Sequence, residues 1–126
     1  MDAPILRPDI TKTLRAVGEQ GDRAVTHWRS VARLDDATLL EVKTETGRTH
    51  QIRVHLSHIG HSLVGDVMYN GRCTDNIKRA ALHCNRVSII HPITKEELTF
   101  TAELPEDMKK ELEKAVFSVD KQECFC

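Results

Sequence analysis

The sequence predicts an α+β fold, with a mixed, mostly antiparallel sheet and helices packed against it. Two pairs of segments alternate apolar and polar residues, which is the period of a half-buried strand, and a short turn joins each pair. Apolar residues at helical spacing occur in only two stretches. Because the paired strands outnumber the helices, the pattern is typical of the α+β class.

The N-terminal part supplies the first predicted hairpin. Residues 1–23 are interrupted by two prolines and two glycines, so we expect extended or irregular chain there. Alternation then runs through residues 25–33 and 38–44, and the pair Asp35-Asp36 between them is typical of a turn.

A helix is predicted over residues 49–58. Ile52, Leu56 and Ile59 recur at helical spacing and should face the core. Gly60 should end this helix, because glycine readily adopts the left-handed conformation found after helix C-termini.

The C-terminal part contains the second strand pair. Residues 63–67 are predicted to be a short extended piece, and residues 81–90 and 98–104 two strands joined by a turn at 91–95. A second helix should begin at Pro105. Its apolar side is formed by Met108, Leu112, Ala115 and Val116.

Length and composition indicate one soluble globular domain. The chain has 126 residues, of which 40% are hydrophobic and 29% charged. No apolar run reaches the length of a membrane span, and residues 1–10 do not resemble a signal peptide. We therefore expect a cytoplasmic protein, or an organellar one if a leader has been removed. Residues 118–126 are expected to form a flexible tail.

Charge and cysteine usage by themselves point to no particular function. The net charge is −1, yet residues 1–91 carry 13 Lys/Arg against 10 Asp/Glu and residues 92–126 carry 5 against 9. The basic part also holds all seven histidines, whereas the acidic part is predicted to be a solvated helix. The overall charge alone does not indicate nucleic-acid binding. The four cysteines show no disulfide framework, so reduced thiols are expected.

Residues 46–56 carry the most information about function. They read Thr-Gly-Arg-Thr-His-Gln-Ile-Arg-Val-His-Leu, at the predicted passage from a strand to a helix. Helix N-termini attract anions through free backbone N–H groups and the helix dipole. Arg48 and Arg53 flank this helix start, and arginine can bind a phosphate or carboxylate through two parallel hydrogen bonds.

This segment resembles the signature of the RluA family of RNA pseudouridine synthases. Further pieces of the same resemblance follow in the family's order and spacing and cover almost the whole chain. They are Ala3-Pro4-Ile5, Ala24-Val25-Thr26-His27-Trp28, Ile59-Gly60-His61, Val64-Gly65-Asp66 with Tyr69, Leu82-His83, His91-Pro92-Ile93-Thr94, Phe100 and Leu104-Pro105. Departures are Leu6, Ser62 and Cys84, and none falls on the expected chemistry.

The resemblance implies an isomerase that converts uridine to pseudouridine in rRNA or tRNA, without cofactor or metal. The family breaks the bond between uracil nitrogen and ribose, turns the base and joins ribose to carbon 5, with an aspartate as nucleophile. It implies that Arg53 pairs with this aspartate. The same resemblance suggests RNA contact or pocket bracing for Arg48, Thr49, His50 and Gln51, and places Leu82 and His83 on a strand that floors the pocket.

The segment that carries the family's catalytic aspartate is not found in this sequence. Residues 33–38 offer a partial match around Asp35, but the preceding histidine and the following Ser-Gly are missing, so we interpret Asp35 as part of a surface turn. Tyr69 matches a later element of the family and is expected to be structural. The chain thus resembles the C-terminal portion of a catalytic domain. We expect it to be inactive alone and to have the missing N-terminal half as a partner.

Three alternatives stay open at this point. The spacing of His55, His58 and His61 could suggest zinc, although such sites usually recruit closed sets of four ligands. A non-catalytic RNA-binding module would use Arg48, His50 and Arg53 for phosphate contacts, because aromatic residues are too few for a base-stacking platform. The third alternative is a folding fragment with an exposed sheet edge and no activity.

Overall fold

A computed structural model describes residues 1–113. The six strands in this part of the chain pair as three separate antiparallel two-stranded sheets, and two α-helices accompany them, which confirms the α+β class. None of the described helices is long and apolar enough to cross a membrane. The elements are β1 (Ile5–Leu6), β2 (Ala16–Val17), β3 (Thr26–Arg33), β4 (Thr38–Thr44), α1 (Gln51–His58), a 3-10 turn (Val67–Tyr69), β5 (Arg86–Ile90), β6 (Glu97–Thr101) and α2 (Glu106–Glu113).

The first predicted hairpin is confirmed as β3 and β4. Its register pairs Thr26 with Thr44 and Trp28 with Val42, and it shifts between Ser30 and Ala32. A shift of this kind is a β-bulge, which bends a strand and increases its twist. The predicted turn at Asp35-Asp36 lies between the two strands. Residues 1–23 were expected to be irregular, but they also form the short pair β1 and β2.

The second hairpin is shorter than its sequence pattern suggested. β5 begins at Arg86, so residues 81–85 do not belong to the strand that was predicted over 81–90. β6 ends at Thr101, which pairs with Arg86. Residues 81–85 therefore have no β6 residue opposite them with which to form a longer strand pair. The predicted extended piece at 63–67 is also wrong. It is a tight turn in which Gly65 has a φ of 79° and the Asp66 N–H donates to the Leu63 carbonyl at 3.1 Å.

The helix α1 ends where the sequence predicted, and Ile52 packs against the core as expected. Gly60 has a φ of 85°, its N–H donates to Ser57 O, and the His61 N–H donates to Leu56 O. This is the Schellman arrangement that closes helix C-termini. Leu56 is buried as expected, whereas Ile59 is 39% exposed because it already stands at the C-cap. The other buried residues of the helix are Gln51, Val54 and His55.

The apolar core consists of two clusters that lie in different parts of the chain. One contains Leu39 and Val42 of β4 together with Ile77 and Met108, and the other contains Ile5, Ala24, Val54 and Tyr69. The prediction that Met108 and Leu112 of α2 face the core is confirmed. Ala115, Val116 and the predicted tail at 118–126 lie outside the described residues.

His55 connects the second cluster to the N-terminal segment through hydrogen bonds. The side chain is fully buried, its Nδ1 lies 2.7 Å from Thr26 Oγ1, and its Nε2 lies 2.8 Å from Ala3 O. The Thr26 hydroxyl accepts a hydrogen bond from Gln51 Nε2 and therefore donates to Nδ1, which leaves Nε2–H for the Ala3 carbonyl. Burial lowers the pKa of His55, so the ring is neutral in the folded chain.

We predict that the chain loses stability as the pH falls from 7.5 to 5.5. His55 has a lowered pKa when folded, whereas the unfolded chain binds a proton near pH 6.5. The contribution of His55 to the free energy of unfolding is therefore complete above pH 6.5 and declines as the pH falls towards the pKa of the folded state. Urea unfolding at the two pH values measures the difference. His55→Ala should cost about 2–4 kcal/mol at pH 7.5 and shrink the pH difference. The exposed His61→Ala serves as control, and equal stability at both pH values would contradict the prediction.

We predict a second, local effect at Gly65. A Cβ at this position would lie 1.9 Å from Arg79 O, and the φ of 79° disfavours any L side chain. Gly65→Ala should therefore lower the free energy of unfolding by about 2–4 kcal/mol in urea titrations. Gly47→Ala is the matched control, because a Cβ there meets nothing within 4 Å, and it should change stability by no more than about 0.5 kcal/mol. Equal effects of the two substitutions would refute this assignment.

Candidate active site

Gln51 organises the loop that joins β4 to α1. Its Oε1 accepts hydrogen bonds from the Arg48 N–H at 3.0 Å and from the Thr46 hydroxyl at 2.7 Å. Its Nε2 donates to Val25 O at 2.9 Å and to Thr26 Oγ1 at 3.0 Å. The side chain is buried and its amide is fully engaged within the chain. Of the two roles expected for Gln51, this geometry favours bracing the loop over direct contact with RNA.

His50 stands at the start of α1 in an unusual backbone conformation. Its φ is 55°, in the left-handed region, and its Nδ1 lies 2.7 Å from the Tyr69 hydroxyl. That hydroxyl accepts the Arg15 N–H at 3.0 Å, so we assign the phenolic hydrogen to His50 Nδ1. Burial lowers the pKa of His50, and the charges of Arg53 and Arg15 lower it further. The ring is thus a neutral imidazole that keeps Nε2–H as a donor.

Arg53 forms a bidentate ion pair with Asp66. Nε donates to Oδ2 and Nη2 donates to Oδ1, both at 2.8 Å. The Asp66 residue is 2% exposed, whereas the Arg53 side chain is 21% exposed. The hydrogen bond to Asp66 raises the pKa of Arg53, which keeps the guanidinium charged. The Arg53 Cζ also lies 5.0 Å from the centre of the Tyr69 ring, within the range of a cation–π contact.

This pair changes the expectation for Arg53. The sequence resemblance led us to expect a carboxylate partner that the chain does not contain, but Asp66 of the same chain occupies one edge of the guanidinium. In the sequence, Asp66 belongs to the Gly65-Asp66-x-x-Tyr69 element, and the motifs assign it no role. No local sequence signal assigns Asp66 to Arg53, because the contact joins an α1 residue to a turn thirteen positions later.

The remaining predicted site residues fall into two groups. Arg48 and Thr49 are exposed in the loop before α1, and Arg48 Nε donates to Arg23 O at 2.8 Å. Leu82 and His83 were expected on a strand, but they precede β5 and are not part of it. His83 Nε2 lies 3.1 Å from Ala102 O, so this ring contacts the segment after β6. The structure therefore groups Arg48, Thr49, His50, Gln51 and Arg53 around one helix start, and places Leu82 and His83 elsewhere in the chain.

A large cavity with a mixed polar and apolar lining does not contain the Arg53 pair. Its volume is about 950 Å³, and it lies between the β3–β4 hairpin, α1, the 60–82 segment and α2. The apolar residues that α1 contributes are Ile52, Leu56 and Ile59, at successive helical turns. Leu82 also lines it. Buried pairing and charge gather around Arg53 rather than in this cavity, which makes the start of α1 the candidate site.

Two other expectations concern side chains outside this site. Within residues 1–113 no three His, Cys, Asp or Glu side chains are grouped as metal ligands, and His55 uses both ring nitrogens inside the protein. The zinc alternative therefore has no support from the geometry of these histidines. Asp35 is exposed in the turn between β3 and β4, as the surface-turn interpretation predicted.

Comparisons with known proteins show which family this chain resembles. A family model described as RNA pseudouridylate synthase matches residues 2–58. The RNA pseudouridine synthase YjbO of Bacillus subtilis is 47% identical over 110 residues, which cover 87% of this chain and 38% of the relative. The ribosomal large subunit pseudouridine synthase D of Zymomonas mobilis is 42% identical over 120 residues, covering 86% of this chain and 38% of the relative.

The same similarity extends to other bacteria. The ribosomal large subunit pseudouridine synthase D of Vibrio parahaemolyticus is 44% identical over 121 residues, covering 86% of this chain and 37% of the relative. The chain spans less than two fifths of the length of each of these relatives. The resemblance that the motifs carried is thus confirmed over most of the sequence. This chain belongs to the RluA family of RNA pseudouridine synthases.

Proposed function

We propose that this chain supplies the arginine-bearing part of a synthase that isomerises uridine to pseudouridine in rRNA or tRNA. The observation that carries the proposal is Arg53, a charged, half-buried guanidinium fixed on one edge and without a described partner at Nη1. In the reaction the bond from ribose to N1 of uracil breaks and a bond from ribose to C5 forms. The C5 proton is lost and N1 gains one, so no cofactor is required.

Arg53 would orient and keep ionised the carboxylate that acts as nucleophile. An arginine beside a carboxylate favours the charged form, and a preorganised donor needs no rearrangement during the reaction. His50 presents a neutral Nε2–H donor next to this position, suited to an oxygen of the uracil or the RNA backbone. The exposed Arg48 can contact a phosphate. The target uridine must leave its stack to reach these groups.

The nucleophile is proposed to come from a part of the synthase outside this sequence. Asp66 is buried and already bound to Arg53 through both oxygens, which leaves it unable to attack ribose. Asp35 lies in an exposed turn. Neither carboxylate is therefore suited to the reaction, and we expect the isolated chain to be inactive. Its site of action would be the cytoplasm, where the ribosomal RNA of bacteria is found.

The β5–β6 hairpin is proposed to pack against that other part. Val87 pairs with Phe100 and Ile89 pairs with Leu98, so these four apolar side chains share one face of the hairpin. Val87, Ile89 and Phe100 are 46%, 48% and 54% exposed. An isolated two-stranded sheet is marginally stable in water, and an apolar face of this kind is typical of a surface that a further structural layer covers. The relatives contain ample additional chain to provide that layer.

We predict that Arg53 is required when the chain is completed by the rest of a synthase. In a chimera, all 126 residues replace the matching segment of the Zymomonas mobilis relative. Tritium release from uridine-labelled rRNA should show turnover for the chimera and none for the isolated chain. Arg53→Ala should reduce the chimera's turnover by about 1,000-fold or more, because a preorganised charge next to the nucleophile is lost.

Arg72→Ala is the matched control for this experiment. Arg72 is an exposed arginine that pairs with the exposed Asp36, so its loss should leave turnover within about two-fold. Turnover by the isolated chain would overturn the expectation that the nucleophile lies elsewhere. A chimera that binds rRNA in a salt-dependent manner but never isomerises uridine would instead favour a non-catalytic RNA-binding module.

We predict that a charge on the apolar face of the hairpin prevents association with the other part. The chain and the unmatched part of the Zymomonas mobilis relative are expressed together and isolated through a tag on one of them. Phe100→Asp should abolish co-purification, because the substitution buries an unpaired carboxylate in the interface. Thr99→Asp is the control, because Thr99 points to the opposite face, where it bonds Ser88 at 2.9 Å. Absence of a complex with the unchanged chain, or equal binding by both variants, would exclude this surface.

A further inference from the structure

We propose that Asp66 is a positioning residue, which fixes the Arg53 guanidinium so that its opposite edge receives the nucleophilic carboxylate. The inference deepens the proposed function and rests on it. The carboxylate of Asp66 cannot act as the nucleophile, yet it binds the same arginine that the proposed function assigns to the nucleophile.

Asp66 occupies one edge of the Arg53 guanidinium and leaves the other edge available. Arginine has five N–H donors, and Asp66 receives one from Nε and one from Nη2. This is the side-on edge. The end-on edge, formed by Nη1 and the second hydrogen of Nη2, meets only the Met68 sulfur at 3.7 Å among residues 1–113. A thioether is a weak acceptor, so this edge can still bind a second carboxylate through two hydrogen bonds.

Backbone hydrogen bonds hold Asp66 firmly in its turn. Its N–H donates to Leu63 O at 3.1 Å, and its carbonyl accepts the N–H groups of Tyr69 at 3.1 Å and Gly71 at 2.7 Å. The backbone packs so closely here that a Cβ on Gly71 would lie 2.0 Å from Leu63 O. The carboxylate therefore sits on a rigid turn, whereas the arginine side chain is long and would otherwise sample many rotamers.

The charge of Asp66 also affects how a second carboxylate binds to Arg53. Asp66 balances the positive charge of Arg53 inside a buried pair, so an approaching second carboxylate meets a nearly neutral group that still offers two donors. The two hydrogen bonds then fix the position of the second carboxylate, while the nearly neutral pair favours its ionised form only moderately. Without Asp66 the guanidinium would be mobile and uncompensated. The approaching carboxylate would be held less accurately, and it would lose its proton at a lower pH.

The test uses the chimera described above with Asp66→Asn. This change keeps the shape of the side chain, removes its charge and turns an amide N–H₂ towards an arginine donor. We expect kcat to fall about 10- to 100-fold, because small displacements of a catalytic group have effects of that size. The acidic limb of the kcat profile should also move to lower pH, while KM stays within about three-fold of the original value. Asp66→Glu restores the charge and should return the acidic limb towards its original pH.

A purely structural role gives a different set of results. If Asp66 only stabilises the fold, thermal melts explain the loss of activity and the acidic limb stays in place for both variants, which overturns the proposal. Glu103→Gln is the control, because it removes a carboxylate from the exposed pair with Lys109, and it should change neither kcat nor the pH profile. An active chimera whose Asp66→Asn variant retains kcat and its pH profile refutes the positioning role alone. An inactive unchanged chimera refutes the proposed function together with it.

Discussion

The buried ion pair between Arg53 and Asp66 is the interaction on which the site depends. Taking a carboxylate out of water is costly, and a bidentate contact at 2.8 Å offsets that cost only when both partners are well placed. The placement comes from two elements: α1 carries Arg53, and the turn with Gly65 in the left-handed region presents Asp66. Replacing either partner alone would leave a charge without its counterion, so the helix and the turn are tied to each other.

A second set of polar groups holds α1 against the start of β3. His55, Thr26 and Gln51 form a chain of hydrogen bonds that also reaches the carbonyls of Ala3 and Val25. Buried polar groups destabilise a core when they are unpaired, but here each side-chain atom has a partner. The network therefore fixes the direction of the helix, and with it the direction in which Arg53 points.

The rest of the described structure leaves apolar surface uncovered. The strands form three separate pairs, one hairpin exposes an apolar face, and a cavity of about 950 Å³ with a mixed lining lies beside α1. Small sheets need a further layer to be stable. The relatives, in which this chain corresponds to less than two fifths of the length, show how much additional chain a complete member of the family contains.

The sequence by itself determined the family, the α+β class and the position of α1. Periodicity placed the β3–β4 hairpin and the helix, and Gly60 marked the helix end, because these signals are local and act through backbone geometry. The predictions that Ile59 is buried and that residues 81–85 belong to a strand were wrong, because exposure and strand length depend on which segments lie opposite. Only the tertiary structure decided that Asp66, thirteen positions after Arg53, binds it and that Gln51 turns inward. Such contacts join segments that are far apart in the sequence, and local sequence patterns do not determine which segments lie side by side in the folded chain.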